Sequence, residues 1–185
     1  MILVTGSTGL VGSHLIYQLI SKGDEVRALK RKNSSTTLVK KVFSWYAKDH
    51  AVLFDKILWI DGDLLDYDSL ITAMKGVDFV YHTAAIVSFN TSDKEQLMLT
   101  NVKGTANVVN AALETEIKKL CYVSSVAALG RAGNNKITTE ATEWKDVKGL
   151  STYSHSKHHA EMEVWRGTAE GLNAVIINPT IILGP

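Results

Sequence analysis

The stretch Val4–His14, VTGSTGLVGSH, sets Gly6, Gly9 and Gly12 between a short β-branched run and an amphipathic segment. Three glycines alone say little, but in a strand, turn, helix setting each has its own physical task. The first permits a tight turn, the second lets a pyrophosphate approach the backbone, and the third lets helix and strand pack closely. Free amides at the helix start then bind the anion. The plain alternative is three glycines in an ordinary connecting loop. On the first reading the candidate dinucleotide contacts here are Gly6, Ser7, Thr8, Gly9, Leu10, Val11 and Gly12.

Working outward, six apolar runs recur: MILVT, EVRAL, KILWI, DFVYH, KLCYVSS and NAVIIN. They alternate with amphipathic segments near Leu10–Ser21, Leu38–Lys48, Ser69–Met74, Lys94–Glu114 and Tyr153–Glu170. Strands alternating with helices predict an α/β fold, a doubly wound parallel sheet covered on both faces. Residues 1–185 read as one such domain. Leu38, Val39, Val42, Phe43 and Tyr46 follow helical spacing, so they are expected in the core of an extra helix rather than in a ligand site.

The chain has 185 residues, 45% hydrophobic and 21% charged, with a formal net charge of +1. Without a basic stripe there is no reason to invoke nucleic acid or a membrane surface, and small neutral or anionic ligands are the expectation. The single Cys121 excludes an internal disulfide and suits a reducing compartment, so the cytoplasm is expected. Neither a secretory leader nor a membrane span is apparent. Two polar stretches, Lys30–Thr37 and Gly130–Asp146, read as loops, and the second is long enough to be functional.

Cofactor choice should be legible at the end of the second strand, where an acidic residue would grip the ribose of NAD. Here stand Lys30, Arg31 and Lys32. A guanidinium clamps phosphate bidentately, so Arg31 is the candidate for the 2′-phosphate of NADP, helped by Lys30 or Lys32. A solvated basic loop that leaves NAD as the cofactor is the alternative.

TGSTGLVG, GDLLD, HTAA, NVKGT, YVSSVAALG and the pair Tyr153 and Lys157 together resemble the extended short-chain dehydrogenase/reductase family, within the NAD-dependent epimerase/dehydratase superfamily. VRALKR, AAIVSF and NPTIILGP look most like its dihydroflavonol-reductase and 3β-hydroxysteroid-dehydrogenase branch. The resemblance implies a Rossmann domain, with Asp63 and Leu64 beside the adenine and Thr83, Ala84 and Ala85 along the dinucleotide. It also implies Asn101 on a proton-relay water, Ser125 as the catalytic serine, Ser124 as a cofactor contact, and Pro179, Ile181 and Ile182 beside the nicotinamide. Lys157 would also hold the nicotinamide ribose. Subunits would pair through the fourth and fifth helices, and a substrate-binding part would follow Pro185, absent from this chain.

Tyr153 and Lys157, four apart on a helix, share a face. A phenol ionises near ~10, and a neighbouring ammonium is expected to lower that value. Ser125 would bind a substrate oxygen, and Tyr153 would exchange its proton while hydride moves between substrate carbon and nicotinamide. The expected function is interconversion of a secondary alcohol and a carbonyl in a small-molecule substrate. The alternatives are a sugar-nucleotide epimerase or dehydratase with retained NAD, and a non-catalytic NADP sensor.

His155 and His159 lie about 200° and 240° around the helix from Tyr153, against about 40° for Lys157, so they are expected off the reactive face. They have the spacing of a zinc pair but no evident third ligand, and packing against a neighbouring helix is the expectation. His82 reads as a satisfied polar side chain beside the cleft.

Overall fold

The computed structural model describes residues 1–132, 137–147 and 149–184. Six strands, β1 (Ile2–Thr5), β2 (Val26–Lys30), β3 (Leu58–Asp61), β4 (Phe79–His82), β5 (Lys119–Val123) and β6 (Ala174–Ile177), form one sheet in the order β3-β2-β1-β4-β5-β6. Every pairing is parallel. The order reverses between β1 and β4, which opens a crevice at their carboxyl ends.

Helices α1 (Leu10–Ser21), α2 (Thr37–Tyr46) and α3 (His50–Phe54) cover one face, packing Ile16, Ile20, Val39 and Phe43 on Val4, Val26 and Ala28. On the other face, α4 (Tyr67–Met74), α6 (Gly104–Glu114) and α7 (Thr152–Ala169) bury Leu70, Met74, Val108, Val109, Ala160 and Val164 against Leu3, Val80 and Leu120. Apolar side chains therefore point both ways from the inner strands, the pattern of a sheet covered on both sides. Asp66 caps α4 through Ser69 N, and Ser151 caps α7 through Ser154 N, which fixes where each helix starts.

The structure departs from the sequence reading in three places. The segment expected as one helix from Lys94 is α5 (Lys94–Leu97), a π-helical stretch at Met98–Lys103, and then α6. Val39, Val42 and Phe43 are core, as their spacing predicts, but Tyr46 is exposed: it stacks on Tyr17 at 4.6 Å and its hydroxyl meets His14 Nδ1 at 2.9 Å. Ser124 and Ser125 lie beyond the end of β5, because Ser125 instead caps a short 3₁₀ turn, Val126–Ala128, by accepting from Ala127 N.

Candidate active site

A cleft of about 460 Å³ runs along the carboxyl ends of the central strands, lined in part by Gly6, Thr8, Gly9, Arg31, Asp63 and Ala84. Leu64, Thr83 and Ala85 also line it, as the sequence reading expects. The glycines divide their tasks. Gly6 sits at φ +66°, and a Cβ there would lie 2.6 Å from Ala84 N. A Cβ on Gly12 would come within 2.2 Å of the Gly6 carbonyl oxygen, so this position is what lets α1 close onto the loop. Gly9 has only one close neighbour, the Gly6 oxygen at 3.2 Å, so its bareness serves mainly the cleft side. Helix α1 has no side-chain cap at Gly9 and no acid in its first turn, which leaves its first amides and its positive dipole end for an anion. Ser7 differs from its assignment: its side chain is fully buried and its hydroxyl donates to Leu29 O under the loop, so only its backbone faces a ligand.

At the second strand, Lys30 Nζ is paired with Asp61 Oδ1 at 2.6 Å. Lys32 does not line the cleft, whereas Arg31 does, together with Ser34, whose amide donates to Arg31 O at 2.8 Å. Of the three basic residues, Arg31 is thus the one that lines the cleft beside Ser34 with a side chain that has no partner among the described residues. Ser34 had no signal of its own within the polar run.

The candidate reactive groups gather on α7 and on the segment that follows β5. Tyr153 lies in the first turn of α7, half-buried, with the edge of Phe89 5.8 Å from its ring. Burial pushes its phenol above the ordinary value, and the Ser125 hydroxyl beside it pulls the other way. The expected lowering by Lys157 is not what this geometry gives. Lys157 is fully buried and donates to Tyr122 Oη at 2.7 Å and Val123 O at 3.0 Å. Burial brings its ammonium down to about 7, opposed by Glu161 one turn further along α7.

Asn101 is buried in the π-helical stretch and holds three partners: its Oδ1 accepts from Ile86 N, and its Nδ2 donates to Ile86 O and Ser156 Oγ. Both amide N–H groups are committed, so the structure gives Asn101 a clamping task, and only a lone pair on Oδ1 is left for a water. Pro179 O accepts from Val126 N at 3.1 Å, bringing its segment beside Ser125, while Ile181 and Ile182 are exposed. The residues present fit a dinucleotide. Among the described residues the buried hydroxyl of Ser124, beside Ser125, has no hydrogen-bond partner, which leaves it open to a ligand.

The histidines leave the reactive face, as their helical angles predict. His155 and His159 line a separate hollow with Lys94, Met98, Leu150 and Thr152, against α5. Trp144, unmarked in its polar loop, stacks on His158 at 3.9 Å. Residues 133–136 of that loop, which the sequence marks as long enough to be functional, lie outside the described residues.

With this geometry in place, comparison with known proteins becomes informative. The model of the NAD dependent epimerase/dehydratase family matches residues 2–185. The chain belongs to that family. Within the family it is similar to cinnamoyl-CoA reductase 1 of Petunia hybrida, 32% identical over 192 residues, covering all of this chain and 55% of that protein. It is also similar to the bifunctional dihydroflavonol 4-reductase/flavanone 4-reductase of Malus domestica, 27% identical over 193 residues, 98% of this chain and 54% of that one. A short-chain dehydrogenase/reductase superfamily protein from Agrobacterium tumefaciens with bound NAD has a TM-score of 0.76 and 26% identity, over 96% of this chain and 48% of that one. The chain thus spans about half the length of the relatives it matches. Among the described residues, no helix is long and apolar enough to cross a membrane.

Proposed function

We propose that the protein is an NADP-preferring reductase that interconverts a secondary alcohol and a carbonyl, with Tyr153 as its acid and base. The observation that carries this reading is Tyr153 itself: a half-buried phenol beside the Ser125 hydroxyl, in a chain whose glycine loop lines a cleft. The first-turn amides of α1, Leu10 to Gly12, would hold a pyrophosphate and Arg31 a 2′-phosphate, and a dinucleotide bound there would supply or accept the hydride.

Ser125 donates to the carbonyl oxygen of the substrate and orients it toward Tyr153 Oη. The phenol stays protonated across the neutral range because burial raises its pKa. It therefore serves as a general acid for reduction and takes the proton back in oxidation. Lys157, positively charged below its depressed value of about 7, adds a cation beneath this site. Exposed Phe89, edge-on to the Tyr153 ring, suits a substrate with an aromatic or alicyclic body. The names of the relatives add dihydroflavonols and cinnamoyl thioesters to the compounds worth trying.

The test uses the protein at its full natural length and a panel of such carbonyls with NADPH. Tyr153→Phe should lower turnover about 10²–10⁴-fold while leaving dinucleotide binding intact. Undiminished turnover would overturn the mechanism. A sugar-nucleotide epimerase that retains NAD is the second reading, favoured by the family's other chemistry. Stoichiometric NAD in the purified protein would select it. The homodimer through α5–α6 and α7 belongs to the same proposal and is checked by the mass in solution.

A further inference from the structure

Register places three polar residues in one row at the carboxyl ends of neighbouring strands: Thr5 of β1 pairs with His82 of β4, and His82 with Tyr122 of β5. Paired residues of a parallel sheet point to the same face. All three are buried, with 0%, 0% and 1% of their surfaces exposed. Polar groups in such a place need partners, and these have them. His82 Nδ1 meets Thr5 Oγ1 at 2.7 Å and His82 Nε2 meets Thr105 Oγ1 of α6 at 3.0 Å. The His82 ring stacks on Tyr122 at 5.3 Å, and the Tyr122 hydroxyl takes the bond from Lys157. At the far end, Thr83 Oγ1 donates to the carbonyl of Thr5, the residue before Gly6.

We propose that Tyr122 is a positioning residue: its hydroxyl fixes the Lys157 ammonium and ties it, through the His82 row, to the strand that carries the glycine loop. The inference rests on the reading of Lys157 and Tyr153 given above. An ammonium has three N–H groups. Tyr122 Oη and Val123 O, both from β5, take two, which among the described residues leaves one N–H for a ligand. The row does not conduct protons to water, because its other end, Thr5, is sealed. It acts as a rigid frame instead. The ionisable groups around the ammonium are Tyr122 from β5, His82 from β4, and Tyr153 and Glu161 on either side along α7.

Tyr122→Phe removes the hydroxyl and keeps the ring that stacks on His82, so a residue that merely fills space would leave every readout unchanged. In the protein at its full natural length, the titration of Lys157 Nζ, followed by NMR, is expected to move down by at least about one pH unit, since the cation loses an acceptor. Carbonyl reduction should lose about tenfold in kcat with KM for the carbonyl unchanged, and the alkaline limb of its pH profile should move down in step. An unmoved lysine titration together with kcat within about twofold of wild type would overturn the proposal. A moved titration in a protein that reduces no carbonyl would leave the positioning role standing and remove the reductase reading. If Tyr122→Phe does not fold, Tyr122→Leu, which also removes the hydroxyl that takes the Lys157 bond, takes its place with the same readouts and the same deciding results.

Discussion

At the scale of single residues, spacing told chemistry apart from proximity, and burial was the part it left hidden. Tyr153 and Lys157 could be paired from their four-residue separation, and Arg31 from its place after the second strand. That Lys30 spends its charge on Asp61, and that Lys157 leans on Tyr122 rather than on Tyr153, depends on contacts across 31 and 35 residues that no local pattern encodes. With Lys30 engaged, the proposed preference for a 2′-phosphate rests chiefly on Arg31. Arg31→Ala should weaken NADPH binding about tenfold or more and leave NADH within about twofold, as measured by fluorescence titration of both dinucleotides. Equal losses for the two would place Arg31 on a shared part of the cofactor.

At the scale of elements, the alternation of strands and helices was readable because both periodicities are local, and so was the strand, loop, helix unit around Gly6, Gly9 and Gly12. The break after Leu97 was not: helical spacing continues through Met98–Lys103, and only the tertiary bonds of Asn101 reveal the wider turn. The loop glycines permit a graded test. Gly12→Ala forces a methyl to within 2.2 Å of a backbone oxygen and cannot be relieved by a side-chain rotation. It should cost about 1–3 kcal/mol in the denaturant midpoint and also abolish dinucleotide binding. Gly9→Ala, with a single neighbour at 3.2 Å, should keep most stability and lose binding, because its methyl occupies the cleft side.

At the scale of the whole molecule, the buried row across the sheet links stability to pH. His82 is held neutral chiefly by burial, with the nearby Lys157 charge adding to the effect, so that it titrates at about 3 rather than 6.5. Between those values the unfolded chain binds a proton that the folded chain refuses, so stability is full above pH 6.5 and falls as the medium is acidified toward 3. From pH 6.5 to 4.5 the loss should be about 2 kcal/mol, read as a fall in urea midpoint. A His82→Gln variant, less stable at pH 7, should show a flatter profile over that range. A slope unchanged by the substitution would assign the acid sensitivity to other groups.

The π-helical stretch at Met98–Lys103 can also be considered as a matter of phase. Each residue of an α-helix turns about 100°, so a segment that houses one residue more than its rise demands shifts everything before it around the axis relative to everything after it. Val108, Val109 and Ala112 downstream stay aimed at the sheet, while Lys94 and Met98 upstream face the hollow beside His155 and His159. Deleting a single residue within the stretch would restore a continuous helix and rotate α5 away from α7. The two ends of this helix behave as a gear with an offset tooth, and the offset is what brings Asn101 around to Ile86 and Ser156.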